Sequence, residues 1–267
     1  MSEPRTSLRG ELAAVVACAA VAMLSLPLVF APLGLSWDGL NHHVYLGWMA
    51  EANRLDRDFL AAGFQSLTYP YLYWPVYRLA ASGAGPQLAG ATLAALNVLA
   101  VPPVWMVARA CMPGATLGDA ALRGLAVLLA FMSGVVLSMF DTTANDLLAA
   151  IPLVWSIAFA MDTFRRGGPR TVRANVLLSG ALAGLAVAFK LSNGPIAVLL
   201  PLLWMCAPGA TRQRAVNVML SGAATLAGFV IAYGYWGAQL WMRFGNPLYP
   251  YYDSVFAPVR AWAGWAP

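Results

Sequence analysis

Long apolar runs alternate with short polar or turn-forming stretches along the whole chain, at roughly 12–35, 87–108, 122–140, 147–164, 174–190, 194–207 and 216–241. A helix needs about 20 apolar residues to cross the hydrocarbon core of a bilayer. The pattern therefore predicts an all-α, polytopic transmembrane helical bundle of about seven spans, of which the 194–207 run is the shortest. The breaks fall at Gly85-Pro86, Pro113-Gly114, Gly167-Gly168-Pro169 and Pro208-Gly209, pairs and triplets that end helices. No internal repeat or low-complexity linker divides residues 1–267, so the chain reads as a single transmembrane module.

Between the first two runs lies the longest segment without a span, about 36–85. Within it Leu40, Val44, Trp48, Ala52, Leu55 and Phe59 recur every three or four residues, while Asn41, Glu51, Arg54 and Asp58 fall off that stripe. That spacing predicts an amphipathic helix lying on the membrane surface. After it, in TYPYLYWPVYRL, Tyr69, Tyr71, Tyr73, Trp74 and Tyr77 crowd around two prolines. They form either an interfacial aromatic belt or a platform against a sugar ring or lipid headgroup.

Composition agrees with a bilayer: 60% of residues are hydrophobic and 10% charged, with a mean hydropathy of +0.67. The net charge of +5 comes with no basic stripe interleaved with aromatics, so no nucleic-acid partner is expected. It reads instead as a topology signal. With the N terminus placed in the cytoplasm, ten Arg fall in inner segments and six Lys or Arg in outer ones, as the positive-inside rule requires. Arg5 and Arg9 precede a first run too long for a signal peptide, with no clear cleavage site behind it, so that run is expected to stay as a span. Cys18, Cys111 and Cys206 show neither disulfide nor zinc spacing. The chain is thus expected in a cell membrane as a multi-pass protein.

Candidate chemistry gathers on the predicted outer side. In SWDGLNHHVYLGW, Asp38 is followed at i+3 and i+4 by Asn41 and His42, with His43 next, so a helix would group them on one face. Asp38 either serves as a general base, or binds a divalent cation (magnesium or manganese) with His42 or His43, or caps the helix start. FDTTANDLL adds Asp141, Asn145 and Asp146, which either cap the next span or complete an acidic site. Lys190, the only lysine, stands at the outer end of the fifth run, either snorkelling to the interface or meeting a phosphate. RFGNPLYPYYD places Arg243, Asn246 and Tyr249 in a turn-rich aromatic loop after the last run, with Arg243 a second phosphate candidate.

The order of WDGLNHHVYLGW, KLSNGP and FGNPLYPYYD around these runs resembles the GT-C class of membrane glycosyltransferases, and among them bacterial relatives of the ArnT, protein mannosyltransferase and Rgt-type enzymes. The resemblance implies a polyprenyl-phosphate-linked sugar donor and transfer to a glycan, lipid or protein acceptor on the periplasmic face of a bacterial inner membrane. Carried over by position, it makes Asp38 the catalytic base or metal-linked acid, Asp141 or Asp146 the second acid, and Lys190 and Arg243 the donor-phosphate ligands. Members of the class usually continue into further spans beyond the point where this sequence stops at Pro267, which gives the expectation of a shortened member or a fragment. The competing readings are a small-molecule transporter, with Pro152, Gly194 and Pro195 breaking helices around a site, and a non-catalytic membrane fragment. A retinal protein is disfavoured because the only lysine lies two spans before the last.

Overall fold

A computed structural model describes residues 7–30, 32–34, 36–140, 142–166 and 169–265. Its described residues contain twelve α-helices linked by wide π turns and 3-10 turns, and no β-strand. Helix α1 (Leu8–Ser25) is capped by Ser7, whose hydroxyl accepts the Gly10 N–H, and continues as a wide turn over Leu26–Phe30. In 36–85 lie α2 (Val44–Glu51) and α3 (Trp74–Ala81); next come α4 (Pro86–Asn97) and α5 (Val101–Cys111), then α6 (Leu117–Phe131) and α7 (Gly134–Leu137). The chain ends with α8 (Asp146–Arg166), α9 (Pro169–Phe189), α10 (Gly194–Leu199), α11 (Thr211–Phe244) and α12 (Asp253–Trp262).

Among the described residues, five segments are long and apolar enough to cross a bilayer: Leu8–Phe30, Pro86–Cys111, Asp146–Phe164, Val172–Phe189 and Thr211–Phe244. The runs at 122–140 and 194–207 form shorter pieces. Helix α6 rises only about 22 Å at 1.5 Å per residue, against a core of about 30 Å. It stops because Ser133 starts a new turn, its hydroxyl accepting the Val136 N–H. In Leu191–Cys206 the break comes from proline: Pro195 opens α10 and Pro201 opens the 3-10 turn that replaces it.

Small residues set the tightest helix contact. Along α9, Gly180 and Gly184 lie one turn apart, and along α11 Gly228 answers them. A β-carbon on Gly180 would strike the Ser221 carbonyl, one on Gly184 the Thr225 carbonyl, and one on Gly228 the Ala181 carbonyl. Backbones therefore touch directly, which is how helices associate where lipid removes the hydrophobic drive between them. Outward faces stay apolar: Val21 and Phe30 on the first span, and Leu226 and Ile231 on α11, are all more than half exposed. Two buried polar contacts join helices inside the bundle, where lipid offers no partner. Ser156 donates to the Ser179 carbonyl at 2.7 Å, and the Asn175 amide to Thr163 Oγ1 at 2.9 Å.

At the end of the bundle where α1 begins, Glu11 is locked to Arg123 of α6 through two hydrogen bonds of 2.6 Å, and Trp105 Nε1 donates to the same carboxylate at 2.7 Å. The Arg123 guanidinium also donates to the carbonyls of Met112 and Gly114, both at 2.8 Å. This fully satisfied charge pair ties α1, α5 and α6 together.

The predicted amphipathic helix of the 36–85 segment is shorter than its stripe. It ends at Glu51, and Leu55 and Phe59 lie in turns. Leu40 and Trp48 of the stripe are exposed, as a membrane-surface face would be, while the opposite face buries Leu46, Gly47 and Met49 against the bundle. Gly47 permits this, since its missing side chain leaves room for the Tyr73 carbonyl and Tyr77 Cβ.

Two substitutions test these contacts. Gly184→Leu is expected to cost about 1–3 kcal/mol or more from overpacking, read as a lower Tm of the purified protein. Arg123→Ala strands a buried carboxylate and is expected to cost about 3–5 kcal/mol; an unchanged Tm would show that the Glu11 pair contributes nothing.

Candidate functional site

Ser36 opens the helical stretch that carries Asp38: its hydroxyl accepts the Gly39 N–H at 3.0 Å. The Asp38 carboxylate makes no capping hydrogen bond and is 62% exposed. The capping alternative for Asp38 is therefore taken by its neighbour, and the acid is left available. Residues Gly39–His43 form a π turn, closed by the Val44 N–H bonding to the Gly39 carbonyl five residues back. A widened turn changes which side chains share a face, and such turns recur at functional sites. Here His42, with Nδ1 3.8 Å from Asp38 Oδ1, and the next residue His43 turn inward together, whereas Asn41 faces out. Asn41 is exposed, as Asp38 is, while the two imidazoles are the residues of this turn that are buried. Gly39 is buried against Thr143, and a β-carbon there would crowd Thr143 Oγ1.

Both imidazoles are built into packing. His43 Nδ1 lies 2.6 Å from Thr143 Oγ1, its ring stacks on Tyr73 at 4.7 Å, and the His42 ring meets it edge-on at 4.3 Å. Burial, and then the neighbouring His42, push the His43 pKa down to about 4, against the opposing pull of Asp38 and Asp146. Burial likewise lowers His42, with Asp38 resisting. The Tyr73 hydroxyl is pushed up, first by burial and then by Asp146, and Asn145 hydrogen-bonds it. Near neutral pH these groups are uncharged.

Charge in the site comes from the α8 and α9 ends. Asp146 begins α8, Lys190 follows α9, and the two form an ion pair with 45% and 35% of their side chains exposed. Asn193 fastens this corner by donating to the carbonyls of Ala149 at 3.1 Å and Ala186 at 2.9 Å. Lys190 thus lies beside the second acid rather than alone at the interface.

These groups surround a cleft of about 520 Å³ at the end of the bundle opposite Glu11, lined by Asp38, His42, His43, Asn145, Asp146 and Lys190 together with Gln65, Thr68, Tyr69, Tyr73, Tyr233, Tyr251 and Tyr252. Of the aromatic run at 69–77, Tyr69 and Tyr73 reach the cleft, while Trp74 Nε1 donates to Glu51 at 2.8 Å elsewhere. Arg243 sits apart, making two hydrogen bonds of 2.6 and 2.7 Å to Asp56. Asn246 is fully buried inside its own loop, and Tyr249 stacks on Phe244 at 4.4 Å. None of these three lines the cleft. Asp141 lies outside the described residues. Sequence reasoning does not single out Thr143, Tyr233, Tyr251 and Tyr252; the doubled tyrosine after FGNPLYP is the signal that could have found two of them.

Asp38 and His42 are the candidate metal donors, and no group of three His, Cys, Asp or Glu side chains gathers among the described residues. One carboxylate and one imidazole fit only an ion that keeps water or phosphate oxygens for its other positions.

Because the folded His43 pKa lies below the usual imidazole value, the unfolded chain binds the extra proton first. Stability is expected to be complete above about pH 6.5 and to fall as pH drops toward about 4. Imidazole NMR should show His43 neutral at pH 6; a protonated ring there would contradict the burial.

No family model, curated protein or solved structure matches this chain, so the cleft itself carries the functional argument.

Proposed function

We propose that this chain is an integral membrane glycosyltransferase that passes a sugar from a polyprenyl-phosphate donor to an acceptor hydroxyl in the cleft, after the manner of the GT-C class. The N terminus is cytoplasmic in this reading and the cleft opens on the periplasmic side of a bacterial inner membrane. The observation that carries it is the exposed, uncapped Asp38 carboxylate in one cleft with the Asp146–Lys190 pair.

Sugar transfer asks for two things at once. The acceptor hydroxyl must lose a proton as it attacks, and the departing phosphate must have its charge compensated. Asp38 takes the acceptor proton as the new bond to the anomeric carbon forms. The bond from that carbon to the phosphate oxygen breaks, and the polyprenyl phosphate leaves carrying the electron pair. Lys190 supplies positive charge to the leaving phosphate, and Asp146 holds its ammonium in place. His42, neutral and 3.8 Å from Asp38, adds no competing cation. A magnesium or manganese ion bound at Asp38 and His42 would add further charge for the phosphate.

In proteoliposomes supplied with a labelled polyprenyl-phosphate sugar, Asp38→Asn is expected to lower transfer by about 10²–10⁴-fold, the usual worth of a general base, at unchanged Tm. Wild-type turnover in Asp38→Asn would remove the acid from the mechanism.

A further inference from the structure

The loop after α11 fixes the backbone of two tyrosines, Tyr251 and Tyr252. Helix α11 stops at Gly245, which takes a left-handed φ of +60° while its N–H bonds the Trp241 carbonyl at 2.8 Å. A side chain there would also collide with Arg260 of α12. Asn246 follows, fully buried: its Oδ1 accepts the Leu248 N–H at 2.8 Å, and its amide donates to the Tyr251 carbonyl at 3.0 Å and Asp253 Oδ1 at 3.3 Å. Asp253 is then clamped by Arg260 through bonds of 2.6 and 2.9 Å. Tyr252, between these anchors, has φ +57°, a conformation that tyrosine rarely adopts. Such a backbone persists only where its surroundings over-determine it.

The outcome is that Tyr251 and Tyr252 line the cleft with 45% and 61% of their surface exposed. Gln65, Thr68 and Asn145 offer neutral hydrogen-bonding groups in the same cleft. Its one lining cation among the described residues, Lys190, is already paired with Asp146. An alkyl chain would leave those amides and hydroxyls without partners, and a second phosphate would find no further cation. A sugar ring satisfies both sets, because its C–H face lies flat on an aromatic ring while its hydroxyl rim hydrogen-bonds.

We infer that Tyr251 and Tyr252 form the platform on which a carbohydrate acceptor stacks, with Asn246 and the Asp253–Arg260 pair as positioning residues. The inference deepens the reading of the cleft as a sugar-transfer site and makes the acceptor itself a carbohydrate.

The test omits the donor, so it gives the same answer whether or not transfer occurs. The full chain, in nanodiscs of phospholipids without sugar headgroups, is titrated with methyl glycosides of glucose, mannose, galactose and arabinose, and binding is read by saturation-transfer NMR. At least one glycoside is expected to bind the wild type. Tyr252→Gly removes the ring and relieves the left-handed strain, so binding should weaken at least tenfold while Tm stays level or rises; Tyr252→Phe should bind as the wild type does. Tyr251→Ala, outside the left-handed position, is expected to weaken binding as well and serves if Tyr252→Gly does not fold. No binding by any of the four glycosides, or binding undiminished when the rings are removed, overturns the inference.

Discussion

Direct backbone contact between α9 and α11, permitted by Gly180, Gly184 and Gly228, positions most of what lines the cleft. Helix α9 delivers Lys190 at its end and carries α8 beside it, so Asp146 arrives next to the lysine. Helix α11 rises about 51 Å at 1.5 Å per residue, more than the bilayer core needs. Its last turns become a wall for the 36–85 segment. Trp236 Nε1 donates to the Leu67 carbonyl at 3.2 Å, and Leu46, Met49 and Tyr73 pack around Trp236 and Leu240. Through that wall the histidine-bearing turn reaches the α8–α9 corner.

Polar chemistry is divided between the two ends of the bundle. At one end Glu11 and Arg123, buried to 8% and 0% exposure, are satisfied by each other together with Trp105 and the Met112 and Gly114 carbonyls, an arrangement that leaves nothing for a ligand. At the other, Asp38 is open, the Asp146–Lys190 pair is half exposed, and the imidazoles are held neutral by burial. The same residue types thus serve as a structural clasp where water is excluded and as available groups where the cleft admits it.

Apolar periodicity made the helices long and apolar enough to span legible near 12–35, 87–108, 147–164, 174–190 and 216–241, because length and hydropathy are read directly from the residues. At 122–140 the run is divided between α6 and α7 where Ser133 restarts the chain, and one capping hydroxyl is invisible to a hydropathy average. Asp38, Asp146 and Lys190 were legible as ionisable groups at run ends. Their meeting was not, as it depends on helix pairs that no local pattern encodes. Arg243 shows how such reading is limited: a distant carboxylate, Asp56, occupies it. The spacing Gly180–Gly184 in SGALAGLAVAF is a sign of close helix packing that is readable in the sequence.

The central claim is that the reacting end of a lipid-linked sugar sits among Asp38, Asp146 and Lys190. Photolabelling tests it most directly, using a polyprenyl-phosphate sugar analogue with a diazirine on the sugar and mapping the adducts by mass spectrometry. The account predicts adducts within 36–48, 142–146, 188–192 and 249–252, and their loss when unlabelled polyprenyl-phosphate sugar competes. Adducts confined to the Glu11 end, or scattered along the lipid-facing surfaces of α1 and α11 without competition, would contradict it.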